Sequence, residues 1–215
     1  MREDFHTQLI GLREQLGGMC DLAVTALRSA STAVLEGDVN LARQVLAADA
    51  ALDRARDRCE ETTQQLLALQ APVARDLRLV LTALYCTTKL ERMGDLAAHV
   101  ADAARLAYPD RLVPADMEDA FTDLGRIAAG MAARLAELVR DPGRCCYAEL
   151  EETDRAVDAV HADVMRVITG KNWAHGVPTA TSLALLARYY ERFADQAVSV
   201  ARRLDFAVTG ETPVA

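Results

Sequence analysis

Acidic side chains recur in pairs four residues apart along this 215-residue sequence. If the segments are helical, each pair places two carboxylates one turn apart on the same face, where like charges repel by roughly 0.2–0.5 kcal/mol. Oxygen-only ligands of this kind suit hard cations such as Mg²⁺, Ca²⁺, Mn²⁺ or iron. The predicted metal ligands are Asp49, Asp53, Glu91, Asp95, Asp154, Asp158, Glu191 and Asp195.

The pairs repeat at constant offsets, which indicates an internal duplication. The pair that begins at Asp49 reappears 105 residues later at Asp154, and the pair that begins at Glu91 reappears 100 residues later at Glu191. Because every repeated position is again acidic despite the repulsion, we expect a multivalent cation to stabilise these positions in both halves.

The elements that must position these acids are predicted to be helices. Apolar residues spaced alternately three and four apart form four stripes, and each stripe favours helix-on-helix packing. A further helical segment precedes each pair of stripes, at about residues 4–36 and 116–140, and ends at Gly37-Asp38 or at Asp141-Pro142-Gly143. The stripes cover residues 41–69 (including Ala48 and Thr62), 79–104, 146–167 (from Cys146) and 183–204.

This pattern predicts an all-α fold of two tandem three-helix bundles with six long antiparallel helices. Pro109 and Pro114 mark the boundary, so we expect domains at residues 1–108 and 116–208, each with its own core. The acids lie about 80–160° around each helix from the apolar stripe, by the turn of about 100° per residue. They are therefore expected to form one outward-facing patch of four carboxylates per half.

Composition excludes several classes of function. A net charge of −8 and an isoelectric point near 5.0 leave no basic footprint for nucleic acid. The charged N-terminus is unlike a signal peptide, and no segment reaches the roughly 18 apolar residues of a membrane span. The five cysteines form no Cys-x-x-Cys pair. We therefore expect a soluble, cytoplasmic protein.

The acidic motifs resemble a known family. Leu90-Glu-Arg-Met-Gly-Asp95 and Tyr190-Glu-Arg-Phe-Ala-Asp195 are similar to the repeated helix signature of the PhoU family of bacterial phosphate-signalling regulators. The opening segment with Met1, Phe5 and Met19, and the run Asp76-Leu77-Arg78, extend the resemblance over nearly the whole chain. Trp173-Ala-His175-Gly-Val is similar to actinobacterial members.

The resemblance implies a non-enzymatic, metal-binding negative regulator of phosphate uptake and of the phosphate-starvation response. Its implied partners are a sensor histidine kinase and the ATPase of a phosphate ABC transporter, and it implies a homodimer. Nucleic acid and membrane insertion are not expected, although peripheral membrane association is allowed. The chain departs from the family pattern after each motif, with Leu96 and His99 in the first half and Gln196 and Ser199 in the second. His99 would add a nitrogen ligand, so Mg, Mn, Fe and Zn all remain open.

Two alternatives compete with this interpretation. A carboxylate-bridged di-metal enzyme would need paired Glu-x-x-His motifs facing the core, and the sequence offers only Glu3 to His6, with Asp158 to His161 as an unmated substitute. A purely structural helical adaptor would use the acids for solubility alone. Metal ions would then leave its melting curve unchanged, whereas a metal-binding regulator would be stabilised.

Overall fold

The computed structural model describes residues 2–141 and 147–211, with side chains from residue 5 onward. Throughout these residues the chain forms six α-helices and one short 3₁₀ turn, without strands, which confirms the all-α prediction. The predicted helix end at Pro142-Gly143 and the predicted stripe position Cys146 lie outside the described residues. The helices are α1 (Arg2–Glu36), α2 (Val39–Gln70), α3 (Ala74–Ala107), α4 (Glu118–Arg140), α5 (Tyr147–Ile168) and α6 (Gly176–Thr209), and the 3₁₀ turn is Ala115–Met117.

Gly37 and Asp38 form the turn between α1 and α2. Gly37 has φ of 70°, a left-handed conformation that is cheap for glycine and that ends α1. Asp38 then caps α2, since its carboxylate accepts hydrogen bonds from the backbone N–H groups of Asn40 and Leu41 at 2.9 and 3.0 Å. The connection is short, so α1 and α2 are antiparallel neighbours.

The two groups of three helices share one hydrophobic core. Within each group the helices pack against one another, and the groups join through α1 and α3 on one side and α4 and α6 on the other. The buried apolar residues form a single cluster with members from all six helices rather than two separate cores. At its centre the Tyr190 hydroxyl donates a 3.0 Å hydrogen bond to Ser31 Oγ, which links α6 to α1. The boundaries 1–108 and 116–208 stay a prediction.

The apolar stripes identify most of the buried faces, but Ala48 of the α2 stripe is exposed, and further errors occur at the ends of the stripes. The positions from Ala83 to Ala104 in the α3 stripe are all buried, as are most in α6. In α2, however, Leu69 is 77% exposed and Thr63 replaces Thr62 in the core, while Val167 of α5 is 43% exposed beside a buried Ile168. A strict three-and-four alternation drifts from the true helical repeat, so the error accumulates along the helix.

In the described part of the chain, none of these helices combines the length and apolar character that would let it cross a lipid bilayer.

Candidate functional site

Helices α2 and α3 bring the first four predicted ligands together. This α2–α3 patch consists of Asp49, Asp53, Glu91 and Asp95, all partly buried at the seam between the two helices. Burial raises the pKa of Asp49, and the nearby charges of Asp53 and Asp95 raise it further. The pKa of Glu91 is raised in the same way, first by burial and then by Asp95. The predicted pairing of α2 acids with α3 acids is therefore present in the structure.

An arginine from within α2 neutralises part of this patch. The Arg56 guanidinium lies 2.9 Å from Glu91 Oε1 across the seam and 3.4 Å from Asp53 Oδ1 on its own helix. It also contacts the neighbouring Asp57 at 3.0 Å. The positive charge of Arg56 and its hydrogen bond to Glu91 lower the pKa of Glu91, which opposes the effect of the acidic neighbours. A cation entering the α2–α3 patch would have to displace Arg56 or accept its charge nearby.

Gly94 allows α2 and α3 to approach closely at the α2–α3 patch. A Cβ at this position would overlap the side chain of Leu52 and would lie 3.5 Å from Asp49 Oδ1. The residue therefore sets the separation of the two helices between the acids Glu91 and Asp95. Its counterpart in the second half is Ala194, which is buried without a comparable need for a missing side chain.

The α5–α6 patch contains the other four predicted ligands, Asp154, Asp158, Glu191 and Asp195. Glu191 has only 13% of its side chain exposed, whereas Asp158 is exposed. Burial raises the pKa of Asp154 to about 7, and the charges of Asp158, Asp195 and Glu191 contribute. The pKa of both Glu191 and Asp195 is also raised, again chiefly by burial. The carboxylates of α5 and α6 thus repel one another in a partly desolvated seam.

Two oxygens of the α5–α6 patch have no partner. Asp154 Oδ1 and Glu191 Oε2 are fully buried and accept no hydrogen bond within the described structure. Leaving a buried acceptor unsatisfied typically costs about 1–3 kcal/mol. The other oxygen of Glu191 pairs with Arg188 one turn earlier on α6. The orphaned oxygens lie on two helices, α5 and α6, that pack against each other.

The difference between the patches follows from one position in the duplication. At the offset of 105 that relates α2 to α5, Arg56 corresponds to His161. His161 lies near enough to lower the pKa of Glu191, but it forms no ion pair with the patch acids in the described chain. A permanently charged guanidinium in the first half is therefore replaced by an imidazole in the second.

Other cations border both patches. Arg92 pairs with Asp95 at 2.9 Å, and its counterpart Arg192 lies 3.9 Å from Asp195. Lys89 of α3 lies near enough to Asp195 to lower its pKa, which couples the second patch to the first half of the chain. These pairs are exposed and each is worth at most about 1 kcal/mol.

The oxygen ligands of the α5–α6 patch suit a hard cation, provided that the carboxylate side chains rearrange. As placed, no three histidine, cysteine, aspartate or glutamate side chains of the described residues surround a common point closely enough to hold a metal ion. The mutual repulsion, the orphaned oxygens and the oxygen-only chemistry nevertheless match what such an ion relieves. Binding would have to draw the carboxylates of the patch together. The assignment of the eight acids as ligands stays a prediction.

His99 takes part in a different contact from the predicted one. Its ring is exposed and stacks on Tyr189 of α6, with 5.1 Å between the ring centroids. It remains close enough to the α2–α3 patch to lower the pKa of Asp49. An imidazole held on Tyr189 would need to leave this stack before it could bind a metal in the patch.

Of the residues that the di-metal enzyme alternative would use, the structure describes the side chains of His6, Asp158 and His161 but not that of Glu3. Asp158 is exposed and His161 is partly buried. Seven of the eight acids are only partly buried and Asp158 is exposed, whereas the ligands of such an enzyme project into the core.

Several residues that shape the patches were not predicted to lie there. Arg56 and Lys89 carry no motif, because their role depends on which helices face each other, and His161 entered the sequence analysis only as the partner of Asp158 in the di-metal alternative. Gly94 lies inside the motif Leu90-Glu-Arg-Met-Gly-Asp95, and the second copy has Ala194 at this position. This difference could have indicated a close helix contact in the first half. A glycine in a helix interior costs about 1 kcal/mol relative to alanine, so its presence indicates a packing requirement.

Comparison with known proteins gives one consistent result. The family model described as "PhoU domain" matches the chain twice, at residues 16–104 and 121–204. The phosphate-specific transport system accessory protein PhoU homolog 1 of Mycobacterium leprae is 42% identical over 215 residues, covering 99% of this chain and 96% of the relative. PhoU homolog 2 of Mycobacterium tuberculosis is also 42% identical, with coverage of 99% and 100%.

Solved structures share the fold. The crystal structure of the phosphate transport system regulatory protein PhoU from Streptococcus pneumoniae superposes with a TM-score of 0.85, at 24% identity and with coverage of 98% of this chain and 100% of the other. PhoU from Pseudomonas aeruginosa gives the same TM-score at 22% identity, with coverage of 96% and 100%.

Proposed function

The chain belongs to the PhoU family of phosphate transport accessory proteins, and we propose that it regulates phosphate uptake without catalysing a reaction. The observation that carries this proposal is the match of both halves to the PhoU domain model, together with full-length relatives named as phosphate-specific transport system accessory proteins. The partial exposure of the eight acids supports a binding role over di-metal catalysis in the core.

The regulation proposed is negative. The protein holds the transporter ATPase and a sensor histidine kinase in an inhibitory assembly in the cytoplasm, as a homodimer, and so restrains uptake and the starvation response. Support for a docking role comes from large apolar side chains left exposed on α3 and α6, which include Leu81, Leu106 and Leu185. Arg92, Arg188 and Arg192 border the patches on the same two helices and add charge for partner selection.

In this proposal the protein binds metal ions, which have a structural role. Asp154, Asp158, Glu191 and Asp195 would hold the ion in the α5–α6 patch, and the corresponding acids would do so more weakly in the α2–α3 patch. A bound cation supplies positive charge that stabilises the closely placed carboxylates. The ion is one of Mg, Mn, Fe or Zn.

The partner assignment is tested by affinity capture on membranes from phosphate-replete and phosphate-starved cells. We expect the tagged protein to retain the transporter ATPase and the kinase, and to retain them less after Leu81 and Leu185 are replaced by serine. A matched control replaces Glu61, an exposed acid outside both patches, by glutamine. Capture of neither partner by the unaltered protein under either condition would contradict the bridging role while leaving family membership intact.

A further inference from the structure

We propose that Arg13 of α1 and Arg75 of α3 form a binding site for a phosphate-type oxyanion. The site shares no residue with either carboxylate patch. It also involves no residue of the proposed docking surface, so the two proposals succeed or fail independently.

The two arginines line one small cavity between α1 and α3. Its volume is about 180 Å³, and its polar walls are His6, Arg13, Arg75 and Asp76. Three apolar residues complete it: Leu9, Ile10 and Leu79. A space of this size accommodates a single tetrahedral oxyanion or a small head group but no large cofactor.

Neither guanidinium is neutralised by a carboxylate that the structure describes. In the described chain, no carboxylate lies within ion-pair distance of Arg13 or Arg75, although Asp76 lines the same cavity. Burial lowers the pKa of Arg13, and the nearby charge of Arg75 lowers it further. By contrast, Arg140 of α4 contacts both Glu14 at 3.3 Å and Asp21 at 2.6 Å. Two adjacent guanidiniums, one of them partly desolvated, are unfavourable unless an anion binds between them.

The donor chemistry indicates the class of anion. An arginine presents planar N–H groups that bind two oxygens of a phosphate or carboxylate at once, and the two arginines together can hold several oxygens of one group. His6 adds a ring nitrogen at the wall. The overall charge of −8 repels anions at long range, so retention must come from these local contacts rather than from a diffuse field.

Two kinds of phosphate group have the size and charge that this cavity requires. Free inorganic phosphate fits the cavity alone. The phosphate head group of an anionic lipid fits as well, with Ile10, which is 47% exposed at the cavity, placed to contact the lipid chains. The experiment therefore has one arm for each source.

In the first arm, inorganic phosphate is titrated calorimetrically into the full chain at low ionic strength. Arg13→Gln and Arg75→Gln should each weaken binding about tenfold or more, since each removes charge-assisted hydrogen bonds to the anion. Asp76→Asn should strengthen binding, because it removes a negative charge from the cavity wall. Arg43→Gln removes an equal charge from an exposed position on α2 and should change nothing.

In the second arm, the same variants are sedimented with vesicles of anionic phosphatidylglycerol and, separately, of neutral phosphatidylcholine. Binding to anionic vesicles alone, lost in both arginine variants but not in Arg43→Gln, identifies the lipid head group as the source. Circular dichroism of each variant verifies folding, and the exposed Arg75 gives an informative variant even if Arg13→Gln is destabilised. The proposal is wrong if the unaltered chain binds neither probe, or if all four variants bind like the unaltered chain.

Discussion

The Arg56 guanidinium lies 2.9 Å from the Glu91 carboxylate, whereas the corresponding position in the second half of the chain is His161. The duplicated acidic motifs are therefore not equivalent sites. One patch carries an internal cation that is always charged, and the other carries buried carboxylate oxygens without a partner. If the patches bind metal as proposed, this asymmetry makes the α5–α6 patch the stronger site.

Removing the charge of Arg56 should bring the Mn²⁺ affinity of the α2–α3 patch closer to that of the α5–α6 patch. In a chain whose α5–α6 patch is disabled by Asp154→Asn and Glu191→Gln, the further change Arg56→Gln should tighten Mn²⁺ binding roughly tenfold, because a competing positive charge within 4 Å is lost. Calorimetric titration with Mn²⁺ measures the difference.

The reciprocal change provides the control. His161→Arg should weaken Mn²⁺ binding in a chain that retains only the α5–α6 patch. Unchanged affinity in both chains would show that Arg56 does not govern cation entry.

The metal-free protein should lose stability as the pH rises. The pKa of Asp154 in the folded chain is about 7, above the ordinary 3.8, so the folded state keeps a proton that the unfolded state releases. The stability contributed by this group is fully present below pH of about 4 and is lost as the pH passes through about 7. Thermal melting in a chelator between pH 4.5 and 8.5 measures the trend.

Asp154→Asn should flatten this pH dependence and raise the melting temperature at pH 8. Glu61→Gln, outside both patches, should leave the slope as it is. A slope that survives in Asp154→Asn would assign the effect to other groups.

Gly94→Ala should destabilise the chain by about 1–3 kcal/mol, since the new methyl group overlaps the Leu52 side chain in a packed seam. Leu52→Ala alone should also destabilise, by leaving a cavity. The double variant should be more stable than the sum of the two effects predicts, because each change relieves the other. Urea unfolding of the four chains gives the coupling free energy, and strict additivity would contradict the close approach.

Removing the two partners of the buried hydrogen bond between the halves, one at a time, should destabilise the chain by unequal amounts. Ser31→Ala leaves the fully buried Tyr190 hydroxyl without its acceptor and should cost about 1–3 kcal/mol. Tyr190→Phe should cost less, because Ser31 Oγ still donates to the Leu27 carbonyl at 2.8 Å. Denaturant unfolding measures both values, and the reverse order would contradict this arrangement of donors and acceptors.

The sequence was sufficient to predict the architecture because its signals are local. Helical periodicity, the turn at Gly37-Asp38 and the repeated motifs each depend on residues close together in the chain. The placing of the α2 acids beside the α3 acids also followed, since a short connection makes α2 and α3 antiparallel neighbours, with Asp49 near Asp95 and Asp53 near Glu91.

Features that depend on nonlocal packing were not predictable in this way. The Arg56–Glu91 ion pair, the His99–Tyr189 stack and the shared core each require knowing which helix faces meet. Periodicity indicates that a face is buried but not which partner buries it. Two bundles with separate cores were therefore expected where one continuous core is found.

The most direct test of the account is elemental analysis of the protein after equilibration with Mn²⁺ and dialysis. We predict that the unaltered chain retains bound metal, that Asp154→Asn with Glu191→Gln removes most of it, and that Asp49→Asn with Glu91→Gln removes less. Helicity by circular dichroism should be the same in all three. Equal metal content in the unaltered chain and in a chain with all eight acids replaced by their amides would contradict the assignment of the carboxylate patches as metal sites.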